Sequence, residues 1–515
     1  MQIEINAPES LDLNLTHVVD LGEATSVKND GLSPGSHKSL WVSLANGDGS
    51  QSQPLRSYLI LSSDSRRSME KPAVFVSRRI GPPRFVLPGV ARMLCLVTVL
   101  CSFTLPAVAQ NAAYWVSQLQ EKNKSKRAAV IKGLEALEGR GVEGLEAALK
   151  HKAVDVRQGA AQALGRLGRL ADPAMKTIVK ALAKDKDKEV RAHAARAIGQ
   201  IRLHPRAVIP HLTKALRDKH PPTRAAAAWS LGRFEHFSAG SVAELIRLTK
   251  DKKKEVRLNV VGALGRIRAE PKGVLPILAK SLKDKETEVR IATLKAFGHY
   301  GILAKEAVPL LAMSIKDRSP EVRIEAVAVL GLFASEAAVV VQALIKALED
   351  SDPRVRTQAA VVIGDLGPRA EAALPALSKA LKDKNDDVRL AAATSFERQR
   401  EVAMRARVEL TQALKDSNEA VRAMAAGAIS HFGAYARGSV EPLIKNLSDP
   451  KIPVVTATVL ALAAICAKLD SNALEKDAVF STIVPSLARL RSHEDTGVQS
   501  IVKQSLQRIA QANSK

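Results

Sequence analysis

Aromatic residues are scarce in this chain of 515 residues, where Phe, Trp and Tyr together make up only 3%. Nucleic-acid interfaces that stack bases need exposed aromatic side chains, so the composition does not favour nucleic acid as a partner. Only three cysteines occur, which excludes a disulfide framework and a cysteine-rich metal site. The repeated part of the chain also has no glycine-rich phosphate loop, nucleophile elbow or paired-cysteine motif. We therefore expect no catalytic residue, no metal site and no cofactor.

The chain has abundant small apolar residues and an excess of positive charge. Hydrophobic residues account for 46%, and 77 Lys and Arg face 53 Asp and Glu, giving a formal charge of +24. With so few aromatic residues, a core must be built from Ala, Leu, Val and Ile, which suits many thin, closely packed helices. Residues 1–109 contain 10 basic and 9 acidic residues. Almost all of the excess charge therefore belongs to the rest of the chain.

The first 109 residues differ in composition from the rest. Residues 1–68 are rich in Ser, Gly, Asp and Asn and show no sustained apolar period, which predicts a mostly disordered extension. Residues 69–109 begin at a methionine, continue through a basic stretch and an apolar run of 13 residues from Met93 to Leu105, and end in Pro-Ala-Val-Ala. That order is typical of a secretory signal peptide, and it predicts cleavage after Ala109. The alternatives are an uncleaved anchor and a buried helix.

A signal peptide normally starts a chain, so we hypothesise that translation begins at Met69. Residues 1–68 would then be upstream sequence that is not part of the exported protein. The apolar run is shorter than the roughly 20 residues that span a membrane, so no membrane span is expected after cleavage. The sequence thus predicts an extracytoplasmic protein, secreted or periplasmic, or a membrane-anchored one if the signal is retained.

From residue 110 onward the chain repeats with a period of 33 residues. An arginine recurs, with one first step of 34 and later steps of 33, at Arg157, Arg191, Arg224, Arg257, Arg290, Arg323, Arg356, Arg389 and Arg422. An aspartate recurs at constant steps of 33, at Asp185, Asp218, Asp251, Asp284, Asp317, Asp350, Asp383, Asp416 and Asp449. We call these the ladder arginines and ladder aspartates. A glycine follows most of the arginines eight residues later, beginning at Gly165.

Each repeat has the pattern of two helices. In the unit around Arg290 the second helix carries Val289, Thr293, Phe297 and Tyr300 at spacings that form one helical face. One helix pair cannot bury its apolar face alone, but a stack of pairs can. The sequence therefore predicts an all-α fold, an α-solenoid of about 11 or 12 antiparallel helix pairs. We expect a capping pair at residues 110–140, the repeat array at 141–467, and capping helices and a tail at 468–515.

The two ladders suggest a structural pairing. Each aspartate precedes the second helix of its repeat, where a carboxylate can accept free backbone N–H groups. Each arginine lies in the first turn of that helix, where a cation is unfavourable for the helix dipole. We therefore expect the arginine to be held by the aspartate of its own or an adjacent turn, and Asp284 and Arg290 to be energetically coupled.

The spacing of these residues resembles the HEAT repeat. Pro276 is followed by Asp284, by Val289 and Arg290, and then by Phe297 and Gly298, and further prolines share the register of the first. The compact unit is most similar to the short HEAT-like repeats also found in phycobilin lyases. The resemblance covers about residues 112–511 and implies a solenoid with an extended binding surface. It is uninformative about function.

Basic residues flank the ladder aspartates and would align into two columns when the repeats stack. We call them the ridge, a candidate partner-binding surface: Lys184, Lys186, Arg217, Lys219, Lys250, Lys252, Lys283, Lys285, Lys316, Arg318, Lys382 and Lys384. The alternative is a solvated turn edge in which lysines at helix C-termini favour the dipole. Used as a surface, the ridge would attract a polyanion or an acidic partner.

These patterns predict a non-catalytic scaffold that binds protein partners, which could be acidic, through an extended solenoid surface. A second reading is a polyanion-binding module for acidic polysaccharide or lipid headgroups. A third is a lyase on a HEAT-like scaffold. His299 and His431 lie four repeats apart and cannot share a metal ion, and Cys466 is expected in the core. The oligomeric state does not follow from the sequence.

Overall fold

The computed structural model describes residues 2–7, 38–43, 56–59, 141–467 and 473–513. These residues fall into two units, Met1–Ala91 and Arg92–Lys515. The predicted signal peptide with its cleavage site at Ala109 and the predicted cap at 110–140 lie outside the described residues.

The first unit contains a three-stranded sheet. Its strands are β1 (Gln2–Ala7), β2 (Lys38–Ser43) and β3 (Arg56–Leu59). β1 is central, antiparallel to β2 and parallel to β3. The sequence predicts a mostly disordered extension over residues 1–68, and within it these three segments are strands, each paired with a segment that lies far away in the sequence. The other residues of 1–68 lie outside the described residues.

The second unit is a stack of helix pairs, and the prediction of an all-α solenoid is confirmed. Residues 141–467 and 473–513 contain eleven pairs, in which odd-numbered helices are the first and even-numbered helices the second of each pair. They are α1 (Val142–Ala148), α2 (Val154–Leu167), α3 (Met175–Lys184), α4 (Lys188–Ile201), α5 (Pro205–Ala215), α6 (Pro221–Arg233), α7 (Val242–Leu248), α8 (Lys254–Ile267), α9 (Pro271–Ser281), α10 (Thr287–Tyr300) and α11 (Val308–Met313). The remainder are α12 (Pro320–Leu330), α13 (Ala337–Ala347), α14 (Pro353–Leu366), α15 (Leu374–Ala380), α16 (Asp386–Gln399), α17 (Arg407–Ala413), α18 (Glu419–Ile429), α19 (Arg437–Asn446), α20 (Ile452–Ala467), α21 (Ala473–Ala488) and α22 (Thr496–Asn513).

The core runs continuously along this stack, because each second helix packs on the second helices before and after it. The predicted apolar stripe of α10 is buried throughout, with Phe297 fully enclosed and Tyr300 only 3% exposed. The Tyr300 hydroxyl donates to the backbone oxygen of Ala269 in the preceding repeat at 2.8 Å. Cys466 is likewise a core residue, and burial raises the pKa of its thiol to about 12, so it stays protonated.

The recurrent glycine lets successive second helices approach closely. A Cβ atom built on Gly265 would lie 2.6 Å from the Cα of Ala296 in the next repeat. Real Cβ atoms do not come that close to backbone, so the glycine is required by packing and not by its backbone angles. The small residue at this register therefore allows the close approach of α8 and α10.

We expect Gly265→Ala to destabilise the fold and Gly262→Ala to leave it unchanged or stabilise it. Both glycines lie in α8, but a Cβ on Gly262 meets no atom within 4 Å. Overpacking at Gly265 should cost about 1–3 kcal/mol, whereas alanine at Gly262 should gain up to about 1 kcal/mol in helix propensity. Urea unfolding of the two variants measures both, and equal effects would contradict this packing.

Among the described residues, no single helix is both long and apolar enough to cross a membrane. Pro320–Leu330 and Ala334–Ala347 satisfy the length and composition criteria only when taken together, and they bend by 90° at the break between them.

Candidate functional site

Nine ladder arginines and nine ladder aspartates form a continuous series of ion pairs, each reaching into the next turn along the stack. The Nε atom of Arg290 donates to Oδ2 of Asp317 at 2.8 Å, and its Nη2 donates to Oδ1 at 2.8 Å. The contact is thus bidentate, the geometry in which a guanidinium holds a carboxylate best. The same pairing recurs from Arg157–Asp185 to Arg422–Asp449.

Each ladder arginine also contacts the turn of its own repeat, but through the backbone. Nη1 of Arg290 donates to the carbonyl oxygen of Asp284 at 2.9 Å, while the carboxylate of Asp284 is bound by Arg257. Of the two predicted alternatives, the aspartate of the adjacent turn is the side-chain partner, as in Arg257–Asp284 and Arg290–Asp317, and Asp284 contacts Arg290 only through its backbone oxygen. One guanidinium ties two adjacent turns together.

The ladder aspartates organise the turn that precedes each second helix. Oδ1 of Asp284 accepts the backbone N–H of Glu286 at 3.0 Å, and Glu286 is the residue at which α10 is capped. The helix caps themselves are thus two residues after the ladder aspartates. Where that position is Asn385 or Asn418, its side chain accepts two N–H groups of the following helix.

These contacts lower the pKa of most ladder aspartates. Burial alone would raise the pKa of Asp284, but the hydrogen bonds from Arg257 and from the backbone of Glu286, with the guanidinium charge, outweigh it and hold that pKa below its usual value. The pKa is lowered against the same opposing burial at Asp218, Asp317, Asp350, Asp383, Asp416 and Asp449. The ladder is therefore a charged, structural element.

The ridge residues are all exposed. Arg318 donates to the backbone oxygen of Lys285 at 2.8 Å, which places residues 33 apart next to each other on adjacent turns. Arg217 is paired with Glu244, and the Lys285 ammonium lies 4.0 Å from Glu286. The columns are interrupted beside Asp350, where Glu349 and Ser351 replace the basic residues. The ridge is therefore divided into two shorter basic surfaces, one on each side of Asp350.

A second basic surface, which the sequence analysis missed, lies on the second helices. The guanidinium carbon of Arg196 in α4 lies 4.5 Å from the ring centroid of Trp229 in α6, and that of Arg233 lies 5.5 Å from it. Arg266 occupies the register of Arg233 one repeat later, in α8, and is exposed. We call Arg196, Trp229, Arg233 and Arg266 the Arg–Trp patch. The sequence shows that Arg233 and Arg266 share a register. It does not show that Arg196 contacts Trp229 of the next repeat.

The two histidines singled out in the sequence are separate in the structure. His299 is only partly covered by its neighbours, and this partial burial, together with the charges of Arg266, Arg268 and Lys295, lowers its pKa. His431 is half-buried, with Nε2 3.7 Å from Glu397. Across the described residues, no group of three or more His, Cys, Asp or Glu side chains could hold a metal ion.

Solved structures of importin β have a similar fold. Yeast importin-β (Kap95p) matches with 15% identity and a TM-score of 0.52, covering 83% of this chain and 66% of that chain. Importin β from an ammonium sulfate condition gives 15% identity, a TM-score of 0.53, and coverage of 82% and 65%. The Kap95:Nup1 complex gives 15% identity, a TM-score of 0.51, and coverage of 82% and 66%. The chain spans just under two thirds of the length of these importins.

The sequence itself matches a family of repeats. A search of curated protein sequences finds no match. The model of HEAT repeats matches residues 175–247, 209–298, 242–319 and 307–397, overlapping stretches that together run from α3 to α16. The 33-residue period, the paired helices and the ladder turns all continue on either side of that region. HEAT repeats are therefore present over residues 175–397, as the Pro, Asp, Arg and Gly spacing predicted.

Proposed function

We propose that the chain is a non-catalytic scaffold that binds a protein partner along its stacked repeats. The observation that carries this proposal is the continuous stack of eleven helix pairs within the described residues, joined from turn to turn by the ladder. Such a stack holds side chains of many repeats in fixed register over a long surface. The importin structures with a similar fold include one named as a complex with Nup1, which supports protein binding as a use of this architecture.

The experiment is affinity capture with the full chain carrying a C-terminal tag, followed by mass spectrometry. We expect a protein that binds the purified chain directly and saturably when the two are recombined. The matched control is the same chain denatured and immobilised, which keeps the charge and removes the stack. A partner that binds both forms equally would contradict a scaffold function.

A polyanion-binding function is the second candidate, and the exposure of all twelve ridge residues favours it. Such binding would be driven by charge, so about 0.3 M salt should abolish it, because the screening length then falls well below 10 Å. The matched variants replace Lys219, Lys252 and Lys285 by alanine. Binding of an acidic polysaccharide or of anionic vesicles that survives both changes would contradict use of the ridge.

Export is part of the proposal and rests on the signal-like segment at residues 69–109. We expect the chain to be found outside the cytoplasm with Gln110 at its N-terminus. N-terminal sequencing of the protein purified from its source tests this. An isolated protein that retains residues 1–68 would contradict both the cleavage and the start at Met69.

A further inference from the structure

The strongest unexplained feature of the repeats is a group of arginines that have no carboxylate partner. Among the described residues, Arg196, Arg233 and Arg266 take part in no ion pair, whereas every ladder arginine from Arg157 to Arg422 is paired with an aspartate. The Nε atom of Arg233 is buried and has no hydrogen-bond acceptor. The chain thus concentrates three uncompensated guanidinium groups on α4, α6 and α8.

Trp229 packs against two of these three arginines. The ring is half-buried, and two guanidinium groups lie over it. Stacking on an aromatic ring orients a guanidinium and reduces the side-chain entropy that a ligand would otherwise have to immobilise. Trp and Arg are also the residues that most often dominate the energetics of protein interfaces.

The surroundings of the patch leave space for a chain to lie across it. Gly262 occupies the register of Arg196 and Trp229 one repeat further on, and a Cβ there would meet nothing within 4 Å. The next residue in the register of Gly262 is Lys295, which lies 3.5 Å from Glu325. The unpaired positive charges therefore end before Lys295. Glu189, a carboxylate of α4, lies seven residues from Arg196, about 10 Å along the helix, and faces His220 at 3.3 Å.

We propose that the Arg–Trp patch binds an extended acidic segment of the protein partner, an inference that rests on the proposed scaffold function. Successive helices pack about 8–10 Å apart, and an extended chain advances about 3.3 Å per residue. Carboxylates at every third residue of the segment therefore meet Arg196, Arg233 and Arg266 in turn. Trp229 is the single Phe, Trp or Tyr in these two rows of α4 to α10, so the patch lacks the series of aromatic platforms on which consecutive bases stack.

The test measures fluorescence polarisation with the full chain and a labelled 12-residue peptide that carries Glu at every third position. We expect saturable binding, and at least about tenfold weaker binding of the matched peptide with Gln in place of Glu. The Arg196→Ala/Arg233→Ala/Arg266→Ala variant should lose at least about tenfold in affinity, equivalent to 1.4 kcal/mol. The corresponding Lys variant keeps the charge and should fall between the two, because lysine cannot bind a carboxylate in the bidentate manner.

The control variant Lys180→Ala/Lys214→Ala/Lys280→Ala removes the same charge from exposed positions of the first helices α3, α5 and α9, and it should bind the peptide as the unmodified chain does. Loss of binding in this control, no binding by the unmodified chain, or tighter patch-dependent binding of duplex DNA would overturn the proposal. The scaffold function is judged separately by the captured partner. If the captured partner binds the triple-Ala variant as tightly as the unmodified chain, the proposed role of the Arg–Trp patch is wrong, but the scaffold function is still supported.

Discussion

Replacing Arg290 by alanine should destabilise the protein by about 3 kcal/mol, the range found when one member of a buried ion pair is removed. The Arg290 side chain is 3% exposed and that of Asp317 is 14% exposed, so the remaining carboxylate would lie largely out of water without its cation. Asp317→Asn retains one acceptor for the N–H of Ser319. In a double-mutant cycle of Arg290→Ala and Asp317→Asn, the two losses of stability should be non-additive by about 1–3 kcal/mol. Urea unfolding of the full chain gives the four free energies.

The control for this cycle is an exposed arginine in the first turn of another second helix, α14. Arg354 pairs with Asp352 at 2.8 Å, but its side chain is 59% exposed, so Arg354→Ala should cost less than about 1 kcal/mol. Asp284 and Arg290 should couple more weakly than Arg290 and Asp317, because their contact uses a backbone oxygen that substitution leaves in place. Equal coupling in both cycles would contradict the ladder described here.

Acid should weaken the stack more than any single substitution in the ladder, because seven aspartates act in the same direction. Their pKa values are lowered in the folded protein, so the unfolded chain binds protons first as the pH falls. The stability they contribute is complete above the unfolded pKa of about 4 and is lost as the pH drops through the folded values. The ladder arginines stay charged throughout and do not oppose this trend.

Urea unfolding at pH 7, 5 and 3 measures the effect. The midpoint should be nearly constant from pH 7 to pH 5 as far as these groups are concerned, and should fall clearly by pH 3. Asp317→Asn removes one titrating carboxylate and should reduce the fall between pH 5 and pH 3. A midpoint that is as high at pH 3 as at pH 5 would show that the aspartates are not stabilised as carboxylates by their arginines.

The repeat and its fold could be predicted because the 33-residue period fixes which residues occupy equivalent positions. The stripe through Phe297 was placed correctly, since spacing along one helix determines its buried face. The partner of Arg290 was left open between the aspartates of its own and an adjacent turn, because the period gives the register of each turn but not which turn a long side chain reaches. The sheet strands were missed because their partners are distant in sequence and carry no periodic signal.

The same limit explains why the Arg–Trp patch was missed. In the sequence, Arg196, Trp229 and Arg233 lie in two registers that also contain Gly262, Lys295 and His299, so neither column is uniformly basic. The ridge was easier to find because its lysines flank an invariant position of the repeat. A surface formed by different residue types on adjacent helices becomes visible only when the helices are packed.

Site-specific photocrosslinking shows whether a protein partner lies along the stacked second helices. The positions are Gly262 in α8 and Gly273 in α9, each replaced in the full chain by p-benzoylphenylalanine. A Cβ at Gly262 meets nothing within 4 Å and one at Gly273 meets only Glu270 at 4.0 Å, so both sites should accept the substitution. We predict that the captured partner crosslinks to position 262 on the second helix and not to position 273 on the first. A crosslink at 273 alone, or at neither position with the partner bound, would rule out binding along the second helices.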